Sequence, residues 1–400
     1  MTPFKAQKIT DDVFWVGAID WSLRDFHGYA IHHGTTYNAF LILADKITLI
    51  DTVKAPFKHE MLSRISSIIN PEKIECIVSN HSELDHTGCL PDVIRLIRPE
   101  QILASTMGQK ALIEHFPIEQ EITAVKDGEN LSLGNKTLTF IETRMLHWPD
   151  SMFTYLKEDR ILFSQDAFGM HLATSERFND ELEFGLLKRE AAKYFANILL
   201  PYAALIPKMA AKLESLNVAS GIIAPDHGPI WRKDAAAILK LYSRWAQLKP
   251  TRKAVIVFDT MWQSTAKMAA AIAEGLISKG VKVELMHLGA SHRSDVATEL
   301  LDAGALIVGS PTINNNLFPT VADTFTYIKG LKRRGLIGAA FGSYGWGGEA
   351  VKQIEGALDE MKVERIAESV KVKYVPDDEA LQNCFNLGVQ VAEELLKRTQ

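Results

Sequence analysis

Asn80-His81-Ser82-Glu83-Leu84-Asp85-His86-Thr87-Gly88 is the stretch on which the fold of this chain turns. It follows residues 73–79, whose short apolar run reads as a strand. Four side chains able to bind a cation (His81, Glu83, Asp85 and His86) lie on the loop that leaves this strand. Imidazole and carboxylate are donors for hard and borderline metals. Further along, His147 follows a strand in Met145-Leu146-His147-Trp148-Pro149, and Asp166 another in Leu162-Phe163-Ser164-Gln165-Asp166. His227 follows a third in Ile222-Ile223-Ala224-Pro225-Asp226-His227-Gly228. Strand ends are where open α/β sheets place their sites. This donor set is about twice what one cation needs. It suggests two metals bridged by a carboxylate, Asp166, and metals so bridged lie roughly 3.5–4 Å apart.

The surrounding chain alternates strand-like and helix-like segments irregularly. Residues 38–44 and 47–53 read as a hairpin around Asp45-Lys46. Residues 58–69 have helical spacing, with Met61, Ile65, Ile68 and Ile69 on one side. Helices are expected at 90–97, 108–116 and 234–248, and strands at 101–105 and 221–224. Residues 121–168 are mostly strand-like, and 188–216 form a helix broken near Pro201 and Pro207. After Lys249-Pro250-Thr251-Arg252-Lys253 the pattern becomes regular. Strands at 254–258, 281–287, 305–309, 336–341 and 370–374 are interleaved with helices at 265–277, 320–328, 348–361 and 377–397. That alternation predicts a doubly wound parallel sheet of five strands. The domains are therefore residues 1–250 and 251–400, with no internal repeat.

The first 250 residues resemble the metallo-β-lactamase superfamily, whose usual loop is His-x-His-x-Asp-His. The second His is here Glu83, and that pattern, followed by His, Asp and His, resembles the flavodiiron proteins (A-type flavoproteins). His81, Glu83, Asp85, His86, His147, Asp166 and His227 match it with no ligand missing. A hard anionic oxygen in place of imidazole moves the site from zinc hydrolysis toward iron, which is redox-active where zinc is not. The resemblance implies an αββα sandwich holding two non-haem irons. One would take His81, Glu83 and His147, the other Asp85, His86 and His227, with Asp166 between them. Asp51 resembles the superfamily carboxylate that orients a ligand histidine. His27 and Tyr194 resemble donors of the distal pocket that would meet a bound gas. His32 and His33 read as surface, and His171 as a residue either behind the ligands or on the surface.

In the second domain, the strand at 254–258 ends in Asp259-Thr260-Met261-Trp262-Gln263-Ser264-Thr265, where a helix starts. The helix N-terminus and the hydroxyls of Thr260, Ser264 and Thr265 form a phosphate site. No Gly-x-Gly-x-x-Gly is present, so a single phosphate, as in FMN, fits better than a dinucleotide. Two further loops open at the same edge: Pro311-Thr312-Ile313-Asn314-Asn315 and Ser343-Tyr344-Gly345-Trp346-Gly347-Gly348. Glycines there let backbone approach the ring, and Tyr344 or Trp346 can cover its apolar face. The segment from Ala254 onward resembles flavodoxin. It departs at Gln263, where flavodoxins usually have glycine, and the Thr-Met-Trp version is similar to the flavodiiron subgroup.

The resemblance implies an oxidoreductase that passes electrons from FMN to the diiron centre, reducing dioxygen to water or nitric oxide to nitrous oxide. The implied electron donor is rubredoxin or a reduced deazaflavin coenzyme. A domain of 250 residues has a radius of gyration near ~18 Å. That makes contact between the metal rim and a flavin of the same chain unexpected, so a head-to-tail homodimer or a dimer of dimers is expected. The chain ends without rubredoxin-like Cys pairs, as in the minimal two-domain class. A binuclear zinc hydrolase fused to a flavodoxin module is the enzymatic alternative, and an electron carrier or gas sensor with a vestigial metal site the non-enzymatic one.

Composition narrows the classes further. Lys and Arg number 44 against 49 Asp and Glu, which leaves no basic surplus for nucleic-acid binding by bulk charge. Apolar residues at 47% and charged residues at 23% are ordinary globular values, which argues against disorder. Cys76, Cys89 and Cys384 are too scattered for a disulfide framework or a thiolate metal site. The N-terminus, Met1-Thr2-Pro3-Phe4-Lys5, lacks the apolar core of a signal peptide. The longest apolar stretch, 194–207, falls short of the roughly 20 residues that span a bilayer. A cytoplasmic protein with no membrane association is expected.

Overall fold

A computed structural model describes residues 3–219 and 221–400. The reading of the N-terminus as leaderless falls partly on Met1 and Thr2, outside the described residues. By its internal contacts the chain divides into two compact units. The first is Met1–Phe26, Ile31–Tyr194 and Ala204–Ser243; the second is His27–Ala30, Phe195–Ala203 and Arg244–Gln400. No helix among the described residues is long and apolar enough to cross a membrane.

Two sheets form the centre of the first unit. One runs in the order Gln7–Lys8, Val13–Trp15, Phe40–Ile42, Thr48–Ile50, Cys76–Ser79, Gln101–Ser105, Thr123–Val125. It is antiparallel up to Thr48–Ile50 and parallel beyond it. The other runs Asn130–Ser132, Thr137–Glu142, Met152–Leu156, Ile161–Phe163, Ile222–Ala224, with only the last pair parallel. Side chains alternate between the faces of a strand, and here the alternation sorts two cores. Phe40, Ile42, Ile50, Val78 and Leu103 meet Phe140, Met152 and Phe163 of the second sheet. Their neighbours Leu41, Leu49, Ile77 and Ile102 face helices instead. Phe153, on the far side of the second sheet, packs through Phe168 on Tyr242 of helix Ala236–Ala246. The result is the αββα sandwich.

Helix Leu90–Ile97 forms where the spacing puts it. It buries Leu90, Val93, Ile94 and Ile97, one stripe at helical period, and ends on left-handed Arg98. The helical run expected over 188–216 divides earlier than its prolines require. Helix Phe184–Tyr194 passes into a π-helical turn, Phe195–Leu199, then a 3-10 turn, Leu200–Leu205; helix Ile206–Ser215 carries Pro207 in its first turn. A proline is tolerated there because its missing N–H would have no intrahelical partner. The short strands before residue 38 and helix Arg293–Leu300 went unread, because two or three residues show no period and Ser294-Asp295 dilutes the apolar stripe.

The second unit holds a parallel sheet ordered Lys282–His287, Lys253–Phe258, Ala305–Pro311, Ile337–Tyr344. Its fifth position is shared. Glu364–Arg365 pairs with the start of Ile337–Tyr344 and Val370–Lys373 with its end. Ile256, Ile307 and Ala339 face helices Ser264–Ile277 and Asp378–Arg398, whereas Val257, Leu306 and Val308 face helix Pro319–Gly330. Helices thus cover both faces, as a doubly wound sheet requires. The helix pair Ser264–Ile277 and Asp378–Arg398 crosses on glycines. A Cβ on Gly388 would stand 2.1 Å from the Ile272 carbonyl oxygen.

Candidate metal centre and flavin site

Strand Cys76–Ser79, paired on both sides, delivers the chain into the metal loop at its carboxyl end. The short helix Leu84–Thr87 then turns Asp85 and His86 inward, and the Thr87 hydroxyl ties it back to the Ser82 and Glu83 carbonyls at 3.0 and 2.8 Å. His147, Asp166 and His227 arrive from the ends of other strands, and all seven side chains converge in two groups. In the first, His81 Nε2 lies 3.2 Å from Glu83 Oε2 and 3.4 Å from Asp166 Oδ2. His147 Nε2 lies 2.8 Å from the same Asp166 oxygen. In the second, His86 Nε2 and His227 Nε2 stand 3.4 and 3.3 Å from the two oxygens of Asp85. Those imidazoles lie 3.2 and 3.4 Å from Asp166 Oδ1. Asp166 therefore offers one oxygen to each group.

The electrostatics are those of ligands facing one another. Burial works to raise the Asp166 carboxyl, but His86, His147 and His227 outweigh it and hold the group well below the usual carboxylate range. Burial opposes protonation of His86, yet Asp85, Asp226 and Asp166 push it up to about 10. His81 and His147 are raised in the same way, against burial, by hydrogen bonds to their carboxylates. Both Asp85 oxygens, Asp166 Oδ1 and both His86 ring nitrogens are buried and make no hydrogen bond. Such atoms are costly to bury unless an ion satisfies them.

At the carboxyl edge of the parallel sheet a cavity of about 780 Å³ opens. Met261, Trp262, Ser264, Pro311, Thr312, Ile313, Asn314, Asn315, Ser343, Tyr344, Gly345, Trp346 and Gly347 line it, as the sequence led one to expect. Thr260, Gln263, Thr265 and Gly348 are not among its walls. Thr265 is buried and shares a hydrogen bond of 2.9 Å with Ser343, so it supports the wall from behind. Gln263 adopts a left-handed φ of 67° and its side chain does not cap helix Ser264–Ile277. The first N–H groups of that helix are thereby left for another acceptor. Thr260 Oγ1 is buried without a hydrogen bond.

Comparison with known proteins joins these two sites. The ODP family beta lactamase pattern matches residues 35–228, and the Flavodoxin pattern matches residues 256–388. The chain is 47% identical to a nitric oxide reductase of Moorella thermoacetica, covering 97% of this chain and 98% of the other. Its fold superposes on the rubredoxin oxygen:oxidoreductase of Desulfovibrio gigas with a TM-score of 0.96, at 46% identity, over 98% of this chain and 99% of that one. The flavodiiron protein of Giardia intestinalis gives a TM-score of 0.94 at 34% identity, over 99% of each chain. The chain belongs to the flavodiiron proteins.

It is accordingly an oxidoreductase with a metallo-β-lactamase-like domain followed by a flavodoxin domain. Flavodiiron proteins imply FMN and a non-haem iron pair, and the residues fit both. Four imidazoles and three carboxylates, with no thiolate, form a mixed nitrogen and oxygen donor set suited to iron. The uncapped helix start and the buried Thr260 hydroxyl fit a phosphate, while the aromatic walls fit a ring.

Several side chains around this flavodiiron site have roles that the sequence did not disclose. Asp51 was expected to orient a ligand histidine. Its oxygens instead accept from the Asn80 N–H at 2.7 Å and from Asn80 Nδ2 at 2.8 Å, so it anchors the loop. The orienting contacts come from elsewhere. His81 Nδ1 meets Asp150 Oδ2 at 3.2 Å, His227 Nδ1 meets the Thr36 carbonyl at 2.6 Å, and His86 Nδ1 faces Asp226 Oδ2 at 3.6 Å. The first two contacts leave Nε2 of His81 and His227 free to face a metal, whereas His86 Nδ1 makes no hydrogen bond. Asp226, adjacent to His227, was the one orienting residue with a positional cue.

His171 is buried, so its surface reading is corrected. Its Nδ1 lies 2.9 Å from Thr35 Oγ1, and its ring centroid is 4.7 Å from that of His227. Burial keeps it neutral, with its pKa well below the ordinary value. Tyr194 is buried with its ring centroid 6.1 Å from that of His227. Burial, followed by the charges of Asp166 and Glu83, holds its hydroxyl far above the ordinary pKa, so it remains a donor. His27 is exposed, at φ 54° in the turn between Asp25–Phe26 and Tyr29–Ala30, and belongs to the second unit. His32 and His33 are exposed, as expected. Tyr374 and Val375 also line the flavin cavity and were missed, although they follow strand Val370–Lys373 at the same carboxyl edge.

Proposed function

We propose that this chain reduces nitric oxide to nitrous oxide or dioxygen to water, with FMN held by residues 251–400 and a diiron pair held by residues 1–250. The observation that carries the reading is Asp166, which gives one oxygen to His81, Glu83 and His147 and the other to Asp85, His86 and His227. When bound, the iron pair would supply the electrons that reduce the gas, and FMN would relay electrons to it.

The chain's own residues hold, orient and protonate. Asp150 and Thr36 fix ring tautomers at His81 and His227, which keeps Nε2 directed at the metal. Tyr194, whose hydroxyl is held far above its ordinary pKa and so stays protonated, donates a hydrogen bond to a gas in the pocket. Thr260, Ser264 and the start of helix Ser264–Ile277 receive the flavin phosphate. Tyr344, Trp346 and Trp262 stand along the ring cavity. Gln263, Thr265 and Gly348 shape the phosphate and ring loops.

Rubredoxin or a reduced deazaflavin coenzyme is the electron donor, consistent with the names of relatives. The working unit is a head-to-tail homodimer or a dimer of dimers, in the cytoplasm. Three buried, unpaired cysteines suit that compartment. The test is anaerobic reduction followed by parallel mixing with each gas, alongside metal analysis. Reoxidation by at least one gas with two irons per chain is expected. Two zincs without iron, or reduced protein inert to both gases, overturns the reading in favour of a hydrolase or carrier.

A further inference from the structure

Strand Lys253–Phe258 has a parallel neighbour on each side. Its last residue, Phe258, stands in register with His287 on one and Gly309 on the other. Asp259 follows at the carboxyl edge and is buried. Its Oδ1 accepts from the Thr260 N–H at 2.7 Å and meets His287 Nε2 at 3.3 Å. Its Oδ2 accepts from the Thr320 hydroxyl. One carboxylate thus joins the base of loop 260–263, the end of strand Lys282–His287 and the first turn of helix Pro319–Gly330.

A buried carboxylate close to an anion site is costly in two ways. It has given up water, and it repels a phosphate. Both costs are answered locally. Three groups face its oxygens. Helix Pro319–Gly330 begins with no side-chain cap and no acidic residue in its first turn, so Asp259 serves as the anion at the positive end of that helix dipole.

Among the described residues, the Thr260 N–H is the one N–H of residues 260–263 that meets a protein acceptor. The N–H groups of Met261, Trp262 and Gln263 are left for another, and Gln263 closes the turn at a left-handed φ of 67°. Such a turn gathers successive N–H groups into an anion-binding concavity. The neighbouring loop, 311–318, has fastenings of its own. The Ser310 hydroxyl accepts from the Phe318 N–H at 2.8 Å, Gln353 Oε1 from the Leu317 N–H at 2.9 Å, and the Ser343 carbonyl from the Thr312 N–H at 3.0 Å. Loop 260–263, among the described residues, is fastened by one side chain, Asp259.

We propose that Asp259 is the positioning residue of the phosphate loop. By holding the Thr260 N–H, and being held in turn by Thr320, it aims the N–H groups of 261–263 and the start of helix Ser264–Ile277 at a single phosphate. The inference rests on the FMN reading given above.

The test titrates the flavin-depleted full chain with FMN and with riboflavin, which carries the same ring and no phosphate. Wild type, Asp259→Ala, Asp259→Asn, Thr320→Val and Asp259→Ala/Thr320→Val are compared by quenching of flavin fluorescence. Wild type binds FMN at least about 100-fold tighter than riboflavin, as several charge-assisted hydrogen bonds require. Asp259→Ala weakens FMN about 30-fold, the worth of about one such bond, and riboflavin by less than about twofold. Thr320→Val weakens FMN about three- to fivefold and leaves riboflavin unchanged. The double variant falls no more than about twofold beyond Asp259→Ala, because residues acting through one another are not additive. Asp259→Asn keeps an acceptor for Thr260 and a partner for Thr320, and stays within about threefold of wild type.

Equal loss of both flavins in Asp259→Ala, the mark of a damaged cavity, overturns the positioning role. So does unchanged FMN affinity, or an asparagine variant as weak as alanine. A wild type that does not distinguish FMN from riboflavin fails the phosphate reading itself, and the proposal with it. A second readout is spectroscopic. In the iron-free, FMN-loaded full chain, Asp259→Ala moves the phosphorus resonance of bound FMN toward that of free FMN, while the visible flavin absorbance stays as in wild type. An unmoved resonance overturns the proposal. Should Asp259→Ala not fold, Thr320→Val decides: a loss confined to FMN supports the clamp, and equal loss of both flavins or no loss overturns it.

Discussion

The metal cluster and the flavin cavity are built on opposite terms. Six of the seven metal-facing residues are buried, and their charges are directed at one another. The flavin cavity is rimmed by aromatics standing in water: Trp262 is 89% exposed and Trp346 is 88% exposed. A pair of dications brings charge and no apolar surface, so the protein must gather opposite charge in advance and keep water out. A flavin brings its own apolar ring and a phosphate, so a helix start and open aromatic walls suffice. The first site is fixed by charges that face one another, whereas the second is fixed by the shape of its loops.

That contrast breaks most directly at Asp166. Asp166→Ala removes an oxygen from both metal groups at once, and iron content is expected to fall below one per chain with gas reduction down by about 10³ or more. FMN occupancy should not change. Metal analysis and the flavin absorbance of one sample check both halves; retention of two irons would mean that Asp166 is not the bridge.

Asp150→Asn tests the same site from outside. The amide keeps the shape but can turn its N–H toward His81, and iron affinity should drop about 10–100-fold, the usual cost of losing an orienting partner. Competition with a chelator measures it. Thr260→Val, in the open site, should weaken FMN about tenfold, close to one hydrogen bond to a charged group, with iron content unaltered. Flavin titration of the apoprotein reads this directly.

The smallest effect is on stability. In metal-free protein His86 has its pKa raised from 6.5 to about 10, against burial, by Asp85, Asp226 and Asp166. A folded pKa above the unfolded one stabilises the fold fully below pH 6.5, and that contribution fades as pH rises toward about 10. The melting temperature of chelated protein should therefore decline over that window by a few degrees. Loaded protein should show less decline, since a bound cation replaces the proton. Parallel melts with and without chelator would expose a flat profile if His86 carries no proton.

How much of this was legible differs between the two sites. The seven candidate ligands were readable because each pairs a metal-binding side chain with the end of a short apolar strand, and a strand end has few places to point. Helix Leu90–Ile97 was readable because its apolar stripe repeats at the helical period. Asp150 and the Thr36 carbonyl were not, since one acid among many and one backbone oxygen carry no pattern; only the packed sheets bring them to His81 and His227. Asp51 was assigned to a histidine, yet its nearer neighbour on the adjacent strand end is Asn80. His171 was left either behind the ligands or on the surface, and the fold buries it with its ring 5.1 Å from that of Tyr194.

Residue type and order were enough to fix the donor chemistry, the alternation of strand and helix after residue 253, and the loops that line the cavity at the carboxyl edge of the parallel sheet. These depend on residue type and local period, which survive in one dimension. Tertiary structure alone decided which oxygen of Asp166 serves which metal group, which carboxylate steadies which imidazole, and that helix Arg293–Leu300 grips the turns at Gly28 and Asn197. Each of those joins residues far apart along the chain. Their distances are fixed by the packing of whole sheets and helices, and no local preference encodes them.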